Sequence, residues 1–117
     1  MTRADLNAFC AALPATGHVV QWGGADVWKV GGKVFVIGRE RAGGMATSFK
    51  VTPMAFEALR GHPDCRPAPY LASRGLSWIE AWRGTAMKDG ERLEWIAQSH
   101  AIVAASLARK TRKVLGL

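Results

Sequence analysis

The chain of 117 residues carries 16 Lys and Arg against nine Asp and Glu, a formal charge of +7, with a pI near 10.1. A chain of this length buries about 65% of its unfolded surface and needs neither disulfide nor metal to fold. Its longest apolar runs fall far short of the ~20 residues that cross a bilayer, which excludes a membrane span. The basic excess favours polyanions, nucleic acid first and acidic membranes or acidic proteins second, with simple solubility charge as the plainer explanation.

In chain order, Thr2 and Asp5 form a capping-box-like pair, and Leu6, Phe9, Cys10 and Leu13 follow at helical spacing until Pro14 and Gly17 stop the helix. Four strands are expected next, Val19 to Trp22, Val27 to Val30, Lys33 to Gly38 and Met45 to Val51, delimited by the glycine pairs 23–24, 31–32 and 43–44. Gly31-Gly32 suits a two-residue hairpin turn, and Arg39 to Gly44 reads as a longer, protruding one. Thr52-Pro53 is a cap plus a first-turn proline, opening a short helix through Phe56 and Leu59 that Gly61 and Pro63 end.

Asp64 to Gly75, with Pro67 and Pro69, reads as an irregular crossover. Leu76 to Trp82 alternates as a strand, with Leu76, Trp78, Glu80 and Trp82 on one face. Glu80 between two tryptophans is read as an edge-strand charge, in preference to a partner for a nearby Arg. From Asp89 onward Leu93, Ile96, Ala97, His100, Ala101, Ala104 and Leu107 make the stripe of one long closing helix, and Arg109, Lys110, Arg112 and Lys113 crowd its last turns. The expectation is a single domain over residues 1–117: an α+β two-layer sandwich, an antiparallel sheet packed by N- and C-terminal helices in the order α-β-β-β-β-α-β-α.

Carried by Val30-Gly31-Gly32-Lys33-Val34-Phe35, Lys50-Val51-Thr52-Pro53, Pro69-Tyr70-Leu71 with Ser77-Trp78-Ile79, and Ile96 to Val103 with Ser99-His100, the chain resembles the MmcQ/YjbR family of small bacterial proteins. The likeness covers nearly its whole length. It departs at Val51, where a Cys is common, and at His100, where a Tyr after the Ser is usual. The resemblance implies a CyaY-like fold and a DNA-binding role ascribed to a double-wing architecture. Frataxin relatives of that fold hold iron on an acidic first helix and its neighbouring edge. Here Asp5 stands with Arg3, then Asp26 alone, so iron donation is disfavoured.

The strongest candidate constellation is cationic: Lys29 and Lys33 flank the Gly31-Gly32 turn, Arg39 and Arg41 lie on the next hairpin, and Lys50 ends its second strand. Glycine-rich hairpin tips of this kind let main chain and cations approach a phosphate backbone. Their plainer role is as solvated strand residues. Arg109, Lys110, Arg112 and Lys113 form a second patch; four neutralised phosphates would give a salt slope of about −3.6 on duplex DNA, although a helix C-terminus favours cations on its own account.

The five tryptophans, at 22, 28, 78, 82 and 95, are expected in the core, with base stacking reopened only by an exposed ring. Cys10 and Cys65 form no CxxC and read as small hydrophobes in a reduced, cytoplasmic protein, since the first residues lack the long apolar segment of a secretion signal. His18, His62 and His100 show no metal-ligand spacing, and no nucleophile elbow, P-loop or dinucleotide fingerprint is present. The reading is therefore a non-enzymatic, cofactor-free monomer that binds nucleic acid, duplex DNA foremost, weakly and without strong sequence choice. The rivals are a module for an acidic protein partner and a small-ligand pocket lined by Tyr70, Trp78 and His100.

Overall fold

The computed structural model describes residues 1–42 and 44–117, the side chain of Ser73 aside; Gly43, half of the third glycine pair, lies outside them. The order is α1 (Arg3–Ala11), β1 (Thr16–Gln21), β2 (Ala25–Val30), β3 (Lys33–Arg41), β4 (Gly44–Lys50), α2 (Pro53–Leu59), β5 (Cys65–Pro67), a 3-10 turn (Ala72–Arg74), β6 (Trp78–Ala81), α3 (Asp89–Ala105) and α4 (Arg109–Leu115). All strand pairs are antiparallel, in the spatial order β1-β2-β3-β4-β6-β5. The expected α+β sandwich is present, and no described helix is long and apolar enough to cross a membrane.

The local signals act where they stand. Thr2 Oγ1 accepts from the Asp5 amide while the Asp5 carboxylate accepts from the Thr2 amide, both at 3.1 Å, and Thr52 Oγ1 caps α2 by accepting from the Ala55 amide. Gly31 and Gly32 hold φ of +56° and +81°, the two left-handed residues a two-residue hairpin of this hand requires.

Four expectations are corrected. The supposed crossover contains β5, which pairs through Cys65, Arg66 and Pro67; as the outer strand it tolerates a proline. That places β6 between β4 and β5, so Glu80 is not an edge charge. It is buried, and Arg66 donates to its Oε1 from Nε at 2.7 Å and Nη2 at 2.6 Å.

The turn expected over Arg39 to Gly44 gives way in part to strand, because β3 runs to Arg41 and pairs it with Gly44. Finally, the closing helix is two. The Ser106 hydroxyl donates to the Val103 carbonyl at 2.6 Å and the Ser106 and Leu107 amides turn back to Val103 and Ala104, which ends α3 and lets Leu107 bury against the Gly31 turn.

Register divides the sheet into two faces. On one, Asp26, Trp28 and Val30 of β2, Val36 and Gly38 of β3, Thr47 and Phe49 of β4, and Ile79 and Ala81 of β6 align. α1 and α3 cover this face. Trp28 Nε1 donates to Asn7 of α1 at 2.9 Å, and Phe35, thrown to the same side by a bulge, meets His100 of α3 edge-on at 5.1 Å. Gly38 has no room for a side chain, since a Cβ there would collide with Leu6 of α1 and come within 2.9 Å of the Met45 methyl.

Polar groups in this layer are few and, apart from Thr47 Oγ1 and Arg92 Nε, bonded among the described residues. Ser99 Oγ accepts from the Lys50 amide at 2.8 Å and donates to the Phe35 carbonyl at 2.6 Å, tying α3 to β3 and β4. His100 Nε2 donates to the Pro14 carbonyl at 2.8 Å, the core role expected of it. Arg92 is buried and donates to the carbonyls of Met45 and Arg83, each at 2.6 Å; burial pulls its guanidinium below the ordinary arginine value. Cys10 and Cys65 are buried free thiols, pushed by desolvation up to about 12 and about 11, so neither ionises near neutral pH.

Candidate nucleic-acid interface

The other face of the sheet carries Val27 and Lys29 of β2, Ile37, Arg39 and Arg41 of β3, Ala46, Ser48 and Lys50 of β4, Trp78 and Glu80 of β6 and Arg66 of β5. Among the described residues no α-helix lies across it; instead Pro69, Tyr70 and Leu71 of the β5–β6 connection share a groove of about 420 Å³ with Trp22, Ile37, Arg39, Arg41, Ser48 and Glu80. Buried apolar side chains sit beneath it, Val27, Ala46 and Trp78 among them.

Of the nine predicted contact residues, Lys29, Arg39, Arg41 and Lys50 share this open face. Arg41 is exposed and the other three are half-buried. Arg39 and Arg41 stand two residues apart on one strand, so their Cα atoms are about 7 Å apart. Neither is on a loop. Arg39 Nη1 donates to the Trp22 carbonyl at 2.7 Å, which holds the guanidinium beside the β1–β2 turn.

Lys33 does not join them. It pairs with Val30, whose side chain is in the helix-covered core, so register puts Lys33 on the opposite face.

Arg109, Lys110 and Lys113 are exposed on α4, with Arg112 half-buried. They belong to a short helix of its own, not to the last turns of α3. Its Leu115 lines a second groove with Gly17, Val19, Lys29, Gly31 and Gly32, so α4 stands next to the Lys29 end of the open face.

Among the described residues none of these nine cations makes an ion pair with a carboxylate. The paired cations are others: Arg3 with Asp26, Arg60 with Glu57, Arg66 with Glu80 and Arg83 with Asp64. Of the cations left without a carboxylate partner among the described residues, four lie on the open face and four on α4 beside it; the others are Lys33, Arg74 of the 3-10 turn, Lys88 at the start of α3 and the buried Arg92.

The tryptophans separate in the same way. Trp28 and Trp78 are buried and Trp95 packs against the core, but two were misplaced. Trp22 is 54% exposed because β1 ends at Gln21 and the chain turns through Trp22-Gly23-Gly24, all three at positive φ. A Trp left about half in water forgoes roughly 2–3 kcal/mol of burial.

Trp82 is 37% exposed, with the Arg83 guanidinium 4.4 Å and that of Arg66 5.8 Å from its ring centre. Its ring thus already has cationic neighbours. Tyr70, assigned to a ligand pocket with Trp78 and His100, is 86% exposed at the mouth of the open-face groove. His100 lies on the other side of the sheet, so those three side chains form no common pocket. Among the described residues there is also no cluster of three metal-ligating side chains.

The YjbR family model matches residues 11–102. The chain belongs to the YjbR family. The match spans the sheet and most of α3, so it takes in Lys29, Arg39, Arg41 and Lys50 while α4 lies beyond it. In fold the chain is similar to the crystal structure of Deinococcus radiodurans protein DR2400, a protein with the domain DUF419. The TM-score is 0.85 at 24% identity, over 99% of this chain and 88% of that one. No curated protein is significantly similar to it.

Proposed function

We propose that this YjbR-family domain binds nucleic acid through the open face of its sheet, weakly and mainly by backbone electrostatics. The observation that carries the reading is the shared register of Lys29, Arg39, Arg41 and Lys50 on one face, with no carboxylate paired to any of them among the described residues. Cations so placed are solvated in the free protein and release counterions from a phosphate backbone on binding. α4 extends the positive surface at one end through Arg109, Lys110 and Lys113. Lys33 and the half-buried Arg112 lie outside the main contact, the former because it is on the wrong face.

The test is fluorescence anisotropy with labelled nucleic acid over a salt series. Arg39→Gln combined with Arg41→Gln should weaken low-salt affinity and make the salt slope shallower by about 1.8 on duplex, two contacts' worth. Lys33→Gln should leave the slope as it was. Absence of salt-dependent binding by the unaltered protein, or an unchanged slope in the double variant, overturns the reading.

A further inference from the structure

We infer that the open-face groove takes an unpaired base, so that single-stranded nucleic acid and not duplex is the ligand of this surface. The inference rests on the proposed electrostatic reading and deepens it. Its basis is the pair of aromatic residues at the groove, Trp22 and Tyr70, which line it with Arg39 and Arg41.

Both aromatic residues hold a left-handed backbone, at φ +52° and +68°, where bulky side chains rarely sit. A turn alone is better served by glycine, as at Gly23 and Gly24 beside Trp22. Strained, exposed aromatic residues on two separate loops converge on one groove, and strain of this kind concentrates where a ligand is gripped.

The chemistry selects the occupant. Exposed rings offer π-faces to a flat aromatic partner, and the guanidinium groups of Arg39 and Arg41 in the same groove attract an anion next to it. A nucleotide joins both features in one unit, and sheet surfaces that combine aromatic rings with cations bind single strands in this way.

A duplex matches only the second feature, because its bases are already stacked on each other. Trp22 is the better platform of the exposed tryptophans, since the Trp82 ring is flanked by Arg83 and Arg66. Ser48 and Glu80 add hydroxyl and carboxylate groups to the groove lining, and the Glu80 charge is met by Arg66, so it does not expel a strand.

The full-length chain is titrated with a labelled oligothymidylate of about 12 nucleotides and a duplex of the same length, at physiological and low ionic strength. The single strand should bind at least about tenfold tighter than the duplex at the higher ionic strength and quench tryptophan fluorescence. Trp22→Ala should lower single-strand affinity about tenfold, the loss of one stacked base, and abolish most of the quenching with the salt slope unchanged. Trp22→Phe should recover most of that affinity, and Tyr70→Ala should act in the same direction as Trp22→Ala.

Circular dichroism and thermal unfolding establish that each variant is folded. Equal affinity for the two probes, or a Trp22→Ala variant that binds the single strand as well as the unaltered protein does, overturns the inference while leaving the electrostatic reading intact. Failure of both probes to bind at low salt overturns both.

Discussion

The two faces of the sheet use polar and aromatic residues in opposite ways. On the helix-covered face Trp28, Phe35 and Phe49 are enclosed and the buried polar groups Asp26, Ser99, His100 and Arg92 bond within the protein, Thr47 Oγ1 and Arg92 Nε being left without a partner among the described residues. On the open face Lys29, Arg39, Arg41 and Lys50 have no carboxylate partner among the described residues, and Trp22 and Tyr70 are exposed on turns at positive φ. One face is arranged for the folded state alone. On the proposed reading the other face meets a ligand, so substitutions on the first should change stability and those on the second should change binding.

The largest effect expected from that contrast is at Arg92. Arg92→Met keeps the apolar stem but leaves the Met45 and Arg83 carbonyls without their donor. Buried acceptors so orphaned lose about 1–3 kcal/mol each, and relief of the desolvated charge returns part of it. A net loss of about 2–4 kcal/mol should appear in urea unfolding, with nucleic-acid affinity unchanged at temperatures where the variant is folded. A variant as stable as the parent would mean that the helix-covered face does not depend on its polar ties.

The same division explains what could be read in the chain beforehand. Caps, glycine turns and alternating runs gave α1, α2 and the four-strand meander because each signal is local: Thr2 with Asp5, Thr52 with Pro53, Gly31 with Gly32. β5 escaped because three residues ending in Pro67 carry no alternation, and they become a strand only by pairing with β6. Arg92 and Ser99 look like solvated helix residues until α3 is laid on the sheet.

The cations of the site were visible as types, and their grouping was not. Whether Lys29 and Lys33 share a face depends on the bulge at Phe35, which no pattern announces. Trp22 was read as core because it follows a valine run. The better signal was the Gly23-Gly24 pair immediately after it, which places the ring in the turn.

A smaller effect, whose pH dependence lies in the acid range, concerns Asp64. It is fully buried beside β5, where desolvation alone would push its carboxyl up. Hydrogen bonds from the Thr85 hydroxyl and the Met87 and Ala86 amides outweigh burial and hold it well below the usual carboxylate range. With the folded value depressed, its contribution is full above the unfolded pKa of about 4 and is lost as pH falls below that toward the folded value. Asp64→Asn should therefore be less stable at neutral pH, and the gap to the parent in urea unfolding should narrow steadily as pH falls below about 4. A gap independent of pH would show that the charge on this carboxylate plays no part.

The smallest effect tests the strain on the open face directly. Trp22→Ala and Trp22→Gly both remove the ring, so the difference between them reports the backbone at φ +52°. In an ordinary strand or helix alanine is the more stable by roughly 0.5–1 kcal/mol. In the left-handed region the Cβ is penalised by about 1–2 kcal/mol, which exceeds the extra freedom glycine gives the unfolded chain. Trp22→Gly should accordingly unfold later than Trp22→Ala, by roughly 0.5–1 kcal/mol in chemical denaturation. The usual alanine advantage at this position would mean that the turn is not held left-handed in solution, and that the open face keeps its exposed ring at no conformational cost.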